Sequence, residues 1–181
     1  MICTTKELLS RGETEYSIRK QLLDGSLFLI ERGCYCTNLE DKYSDEVFIS
    51  KKYPFAILTG LSAFYVYGLT DYIPDYHYLA TEHHSFPIRR PDIKQSYQAA
   101  SFFEVGVITK QLDGGEVRTY DLERLLIELF RLKTKYPKDV FYDVLNSFRQ
   151  IKNQINFYKV NQYLKHFSNG SQLSLRIKEA I

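Results

Sequence analysis

The stretch from Glu13 to Cys36 constrains the fold more than any other part of this chain. Thr14 carries the hydroxyl of a helix N-cap, and Glu15 places a carboxylate against the positive end of the helix dipole. Ile18 and Leu22 sit four apart and face one way, with Leu23 beside them; Ser17, Arg19, Lys20, Gln21 and Asp24 are left for the other face. Gly25 supplies the left-handed residue that ends helices. Residues 27–30 form a short apolar run that reads as a strand, Arg32-Gly33 a two-residue hairpin loop, and Cys34, Tyr35 and Cys36 the returning strand. Upstream, Thr4 or Thr5 caps a short helix through Leu9, and Ser10, Arg11 and Gly12 make the turn. Helix, turn, helix and hairpin in this order predict a winged helix-turn-helix.

Such a motif sets a helix N-terminus and a hairpin tip where a DNA duplex can lie against both. Tyr16, Ser17, Arg19 and Lys20 are the expected contacts to base edges and phosphates in the major groove. Arg32, at the hairpin tip, is expected on phosphate or in the adjacent minor groove. The competing reading is a helix and hairpin that only pack, since a fold does not by itself fix a function. Residues 1–37 hold five basic and five acidic side chains, so the motif is neutral rather than a basic patch. A winged domain ordinarily has a helix before these two, and the chain begins too late for it, so part of that small core is expected from elsewhere.

Composition narrows the class. No apolar run approaches the ~18 residues of a membrane span. The N-terminus lacks the basic and apolar regions of a signal peptide. Three cysteines, an odd number, point to a reducing cytoplasm rather than a disulfide framework. The net charge of +2 is unevenly placed: residues 38–130 carry nine basic and fourteen acidic groups, residues 131–181 ten basic and three acidic. A basic surface is therefore expected on the C-terminal helices, either as a face for nucleic acid or an acidic protein, or as an ordinary solvated lysine-rich face.

Beyond a polar linker over residues 38–43, helices are expected over 44–52 and, fully buried, over 58–67. A strand is expected over 76–82. Residues 83–97, polar, with two prolines and the Arg89-Arg90 pair, read as an extended loop or irregular strand. Short strands are expected over 102–105, 107–112 and 116–120, the last two joined by the Asp113-Gly114-Gly115 turn. Asp121 caps a helix with Leu122, Leu125, Leu126, Leu129 and Phe130 on one face; Pro137 opens another, and two more follow over 156–167 and from Ser171. The expected fold class is α+β. A winged helix-turn-helix lacking its first helix occupies residues 1–37. A small mixed sheet and a helical C-terminal part occupy residues 44–181.

Enzyme chemistry finds little support. His83 and His84 follow Glu82, but adjacent histidines on a strand point to opposite faces. Cys34 and Cys36 share a strand face and with Cys3 would make three thiolates, without a CxxC pair or a fourth cysteine. Asp113 and Glu116, with Lys110 and Arg118, have the make-up of a nuclease's acidic hairpin, yet Asp-Gly is expected at a turn for backbone reasons. There is no glycine-rich phosphate loop and no serine nucleophile elbow. The chain therefore reads as non-enzymatic, with no catalytic residues, no cofactor and no metal. The aromatic residues Phe64, Tyr65, Tyr67, Tyr72, Tyr76 and Tyr78 read as core, with a ligand-pocket lining as the alternative.

Three segments carry a family likeness: Gly25 through Tyr35; Pro54 through Thr70 and on to Pro74; and Gly114 through Leu129, with its Glu123-Arg124 pair. In order and spacing they resemble the AbiEi family of antitoxin-repressors from bacterial type IV toxin-antitoxin systems. The resemblance implies an N-terminal winged domain that binds operator DNA, in inverted repeats, and represses its own operon. It implies a C-terminal domain that antagonises a nucleotidyltransferase-like toxin without forming a stable complex with it. Within that frame Arg89, Arg90, Lys133, Lys135, Arg149 and Lys152 are expected as phosphate contacts or a toxin-facing surface. Glu123 and Arg124 are expected either at that surface or in local roles, Glu123 at the helix N-terminus and Arg124 paired with Glu128. The alternatives are a protein-interaction module whose winged motif does not bind DNA, and a ligand-sensing transcription factor.

Overall fold

The computed structural model describes residues 2–40 and 43–181. Met1 lies outside the described residues, as do Asp41 and Lys42 of the expected linker. Among the described residues the chain is α+β, with nine α-helices and two sheets of three and five strands. Its contacts divide it into two units, residues 1–55 with 109–118, and residues 56–108 with 119–181.

The first unit begins β1 (Ile2–Thr4), α1 (Thr5–Ser10), α2 (Glu15–Asp24), β2 (Phe28–Glu31) and β3 (Cys34–Cys36). Both helices start on reciprocal caps: Thr4 Oγ1 accepts from the Glu7 amide while Glu7 accepts from the Thr4 amide, and Thr14 and Ser17 repeat the exchange. Gly25, at φ +78°, ends α2, and the Leu27 amide reaches back to the Gln21 carbonyl at 3.0 Å. The strand order is β1-β3-β2, antiparallel throughout. Register pairs Cys3 with Tyr35, and these join Leu8, Ile18 and Leu27 in a small core. Ile2, Cys34 and Cys36 alternate onto the other face of the sheet and are also buried.

The unit does not stop at residue 37. Helix α3 (Asp45–Lys52), N-capped by Ser44, lies against β1 and buries Val47, Phe48 and Ile49. Lys51 pairs with Glu7 at 2.6 Å, and Lys52 with Glu31. The turn of the Asp113-Gly114 hairpin joins the same unit: the Ser44 amide donates to the Asp113 carbonyl, and the Ser50 hydroxyl accepts from the Arg118 amide. A Cβ on Gly115 would stand 2.9 Å from Val47. The division thus departs from the expected boundary between 1–37 and 44–181, because α3 spends its apolar face on the first sheet.

The second unit runs β4 (Ile57–Leu58), α4 (Gly60–Val66), β5 (His77–Glu82), β6 (Ile93–Gln98) and α5 (Ala100–Phe103). The hairpin of β7 (Val107–Leu112) and β8 (Gly115–Tyr120) follows, its turn end falling in the first unit and its base in the second. Then come α6 (Leu122–Arg131), α7 (Lys138–Gln150), α8 (Phe157–Leu164) and α9 (Gly170–Ala180). The sheet order is β6-β5-β4-β8-β7, mixed, with β4 antiparallel to β5 and parallel to β8, and β5 parallel to β6. Helix α6 is buried on every side and touches α4, α7, α8 and α9.

Two expectations change here. Residues 102–105 are not a strand: α5 and the turn after it occupy them, following Ala99 and Ala100, which favour a helical turn. The turn leaves the Phe102 and Val105 carbonyls free to accept from Arg124. Within 83–97, expected as an extended loop or irregular strand, the chain forms the edge strand β6 from Ile93, with Ile93 and Gln98 buried and Lys94 and Tyr97 exposed.

Candidate functional site

Helix α2 presents Tyr16, Arg19, Lys20 and Leu23 to solvent at the i, i+3, i+4 and i+7 spacing of one helical face, with Tyr16 78% and Leu23 89% exposed. Ile18, 4% exposed, holds the opposite face in the core. Arg32 is exposed in the turn of the β2–β3 hairpin, beside Gly33 at φ +82°. The turn is fastened to the helices, for the Thr5 amide donates to the Gly33 carbonyl at 3.0 Å. A one-residue bulge between Leu29 and Glu31 twists β2 just before the turn. Among the described residues none of Arg19, Lys20 and Arg32 is in an ion pair.

Ser17 does not belong with these. Its hydroxyl accepts from the Thr14 amide at 2.8 Å and donates to the Glu13 carboxylate at 2.5 Å. It is a capping side chain in this structure, with its proton and one lone pair already engaged. The hydrogen bond from Ser17 also holds the Glu13 carboxyl below its ordinary pKa, and one from Ser26 does the same for Asp24. Both carboxylates are thus tied into the ends of α2.

An open cleft of about 630 Å³ in the first unit is lined by Lys6, Glu7, Lys51 and Arg118, among others. Three of its charges are engaged: Lys51 holds Glu7, and the Arg118 guanidinium donates to the Pro54 carbonyl at 2.9 Å. Burial pushes the Glu7 carboxyl up, but hydrogen bonds from Lys51 and Thr4 outweigh it and hold the pKa below the usual glutamate value.

The three cysteines do not converge. Cys34 and Cys36 share a face of the three-stranded sheet, while Cys3 pairs with Tyr35 and so points the other way. Burial raises the Cys3 and Cys34 thiols above their ordinary pKa, which keeps them protonated. His83 and His84 stack edge to face at 4.9 Å, both exposed. Among the described residues no group of three or more His, Cys, Asp or Glu side chains could hold a metal ion, and no helix is long and apolar enough to cross a membrane. Asp113 sits exposed in the hairpin turn.

The six cations expected as phosphate contacts or a toxin-facing surface have separate surroundings. Arg90 is clamped to Asp92, with Nε to Oδ1 at 2.9 Å, and this hydrogen bond lowers the Asp92 pKa. Arg149 donates to the Ala180 carbonyl at 2.7 Å at the end of α9. Lys133 stands over the Phe141 ring at 4.8 Å. Arg89 and Lys152 are exposed, and Lys135 is the one of the six that lines a cavity of the second unit.

Arg124 lies at the centre of the second unit rather than at a surface. It is wholly buried, as is Glu128, and Nε and Nη2 donate to Glu128 Oε1 at 3.0 and 2.8 Å. Nη1 donates to the carbonyls of Phe102 and Val105, and the guanidinium lies 4.4 Å from the Tyr120 ring and 4.9 Å from that of Phe167. Arg131 holds the other Glu128 oxygen and reaches Gln98 at 3.1 Å. The pairing of Arg124 with Glu128 is local, four residues apart on α6, but it is a dry ionic triad that orders the α5 turn. Glu123 accepts from the Asn156 amide at 2.9 Å, tying α6 to the start of α8.

The aromatic residues divide between two roles. Phe64 is core, and Tyr67 donates to the Tyr120 carbonyl at 2.9 Å. Tyr65 and Tyr72 are exposed, and Tyr76 and Tyr78 lie beneath the Lys94 ammonium.

No protein-family model matches the chain, and no curated protein matches it.

Proposed function

We propose that the chain is a DNA-binding regulator that sets the exposed face of α2 in a major groove and the Arg32 turn on the flanking backbone. The observation that supports this reading is the order β1-α1-α2-β2-β3 with β3 paired between β1 and β2, an order compatible with a winged helix-turn-helix, together with the exposed Arg19, Lys20 and Arg32. The first unit has ten basic and eleven acidic side chains over its residues, so attraction rests on a few placed cations rather than on the field of the unit. The three segments resembling AbiEi antitoxin-repressors extend the proposal: the DNA bound is the chain's own operator, and the protein antagonises a nucleotidyltransferase-like toxin.

A gel shift on the DNA upstream of the chain's own gene tests it. Wild type is expected to give a salt-sensitive, sequence-preferring shift that Arg19→Ala/Lys20→Ala loses. Co-expression with the adjacent toxin gene tests the second half, with restored growth as the expected outcome. The exposed apolar side chains Tyr16 and Leu23 on α2 and Leu29 on β2 favour one other reading, a protein-interaction module. That reading predicts no shift even at low salt.

A further inference from the structure

The second unit holds a cleft of about 480 Å³ between β6 and the end of α6, lined on one side by Lys94 and on the other by Arg131, Lys135 and Tyr136. Thr59, the N-cap residue of α4, also lines it. The volume falls in the range of small-molecule sites. Among the described residues no carboxylate lines it, while three cations do. Arg131 is already paired with Glu128, but among the described residues Lys94 and Lys135 are in no ion pair.

Two buried hydroxyls at this cleft lack a hydrogen-bond partner among the described residues, Thr59 Oγ1 and Tyr136 OH. They are the orphaned polar side-chain atoms found there, and both belong to this one cavity. Thr59 is 4% and Tyr136 8% exposed. Thr59 occupies the N-cap position of α4, yet its hydroxyl makes no capping bond. Tyr136 is fixed edge to face against Phe64 at 5.6 Å, so its hydroxyl cannot swing out to water. A buried hydroxyl left unpaired costs roughly 1–3 kcal/mol, which a fold tolerates where a ligand will pair it. Gly60 adds room: a Cβ there would come 3.6 Å from the Tyr136 hydroxyl.

We infer that this cleft binds a small phosphate-bearing molecule, with the Thr59 and Tyr136 hydroxyls donating to phosphate oxygens and Lys94 and Lys135 balancing the charge. Both hydroxyls can donate and both ammonium groups do, which matches the unprotonated, acceptor oxygens of a phosphate. Tyr78 and Tyr97, also in the lining, leave an aromatic wall for the organic part of an ester. The site lies within the second unit and stands independently of the DNA-binding reading.

Calorimetric titration of the full chain with inorganic phosphate and with adenosine 5′-monophosphate, at matched ionic strength, tests this. Saturable binding of either supports the site. Tighter binding of the nucleotide assigns an ester, and equal binding assigns the free anion. Tyr136→Phe and the near-isosteric Thr59→Val are each expected to weaken binding roughly tenfold or more, since each removes one hydrogen bond to a charged group. Neither is expected to lower the melting temperature of the unliganded protein, because each deletes an unpaired hydroxyl. That combination separates a ligand contact from a structural role. Lys135→Ala, at an exposed position, checks the charge contribution without touching the core. No saturation up to about 10 mM, weaker than a site of this kind should bind, overturns the inference, as does binding that all three variants leave unchanged.

Discussion

Replacing Glu128 with Gln removes one negative charge from between two guanidiniums and changes almost nothing in volume. Glu128 has no exposed surface, and its two oxygens are shared between Arg124, itself 0% exposed, and Arg131. The variant leaves Arg124 charged and buried without its counter-ion: the amide keeps one acceptor oxygen beside the Phe102 and Val105 carbonyls, and its new NH2 has only guanidinium donors to face. Breaking one side of a buried ion pair costs about 3–5 kcal/mol. For a chain of this size each kcal/mol moves the melting temperature by roughly 2–4 °C, so Glu128→Gln is expected to melt about 6–20 °C lower. Arg124→Met is the control. It leaves Glu128 paired with Arg131 and puts an apolar, flexible side chain against Tyr120 and Phe167, so its cost should be the smaller of the two. Differential scanning calorimetry reads both, and far-ultraviolet circular dichroism follows the helices, most of which lie in the second unit. A Glu128→Gln melt within about a degree of wild type, or an Arg124→Met melt below it, would refute the view that the triad is a dry, mutually compensated site.

Burial pushes the Tyr67 hydroxyl up to about 12, and raises those of Tyr120 and Tyr136 as well. For groups with raised folded-state pKa, the stability they contribute is complete below the unfolded value near pH ~10 and is lost as pH rises through the folded value. Alkaline titration followed by tyrosine absorbance should therefore show a late, cooperative phase coincident with unfolding; a single early phase for all tyrosines would contradict it. Gly106→Ala should destabilise by about 2 kcal/mol or more, because φ is +78° and the new Cβ would stand 2.7 Å from that of Arg124; Gly12→Ala, at φ +91° in open space, should cost less in the same thermal melts. Ser17→Ala should lower stability by about 1 kcal/mol as a lost cap while leaving DNA affinity unchanged, and a specific loss of affinity would restore Ser17 as a base reader.

Local signals were the legible ones. Thr14, Gly25 and the Arg32-Gly33 turn bracket α2 and its hairpin, and each acts through backbone geometry that neighbours alone determine. The exposed face of α2 could be read from its period, but not the commitment of Ser17, since an N3 serine and a base-reading serine look alike until the capping partner is placed. Strand β6 was hidden because an edge strand needs few apolar residues. Helix α5 was mistaken because two adjacent phenylalanines suit a strand or a helical turn equally well. The allocation of α3 and residues 109–118 to the first unit depends on contacts between distant segments. The same holds for the cleft of the second unit, whose key groups come from positions 59, 94, 135 and 136. Arg124 and Glu128 did leave a trace, as charges on a helix apolar on every other side. Their depth required the fold.

The central claim is most directly tested by the salt dependence of binding to the chain's own upstream DNA, measured by fluorescence anisotropy for wild type, Arg19→Ala/Lys20→Ala and Arg32→Ala. Each lost phosphate contact should reduce the slope of log K against log salt by about 0.9. The account predicts a shallower slope and weaker binding for each variant, with the α2 double variant also losing preference for the upstream sequence over unrelated DNA. Slopes and affinities that match wild type in both variants would contradict it.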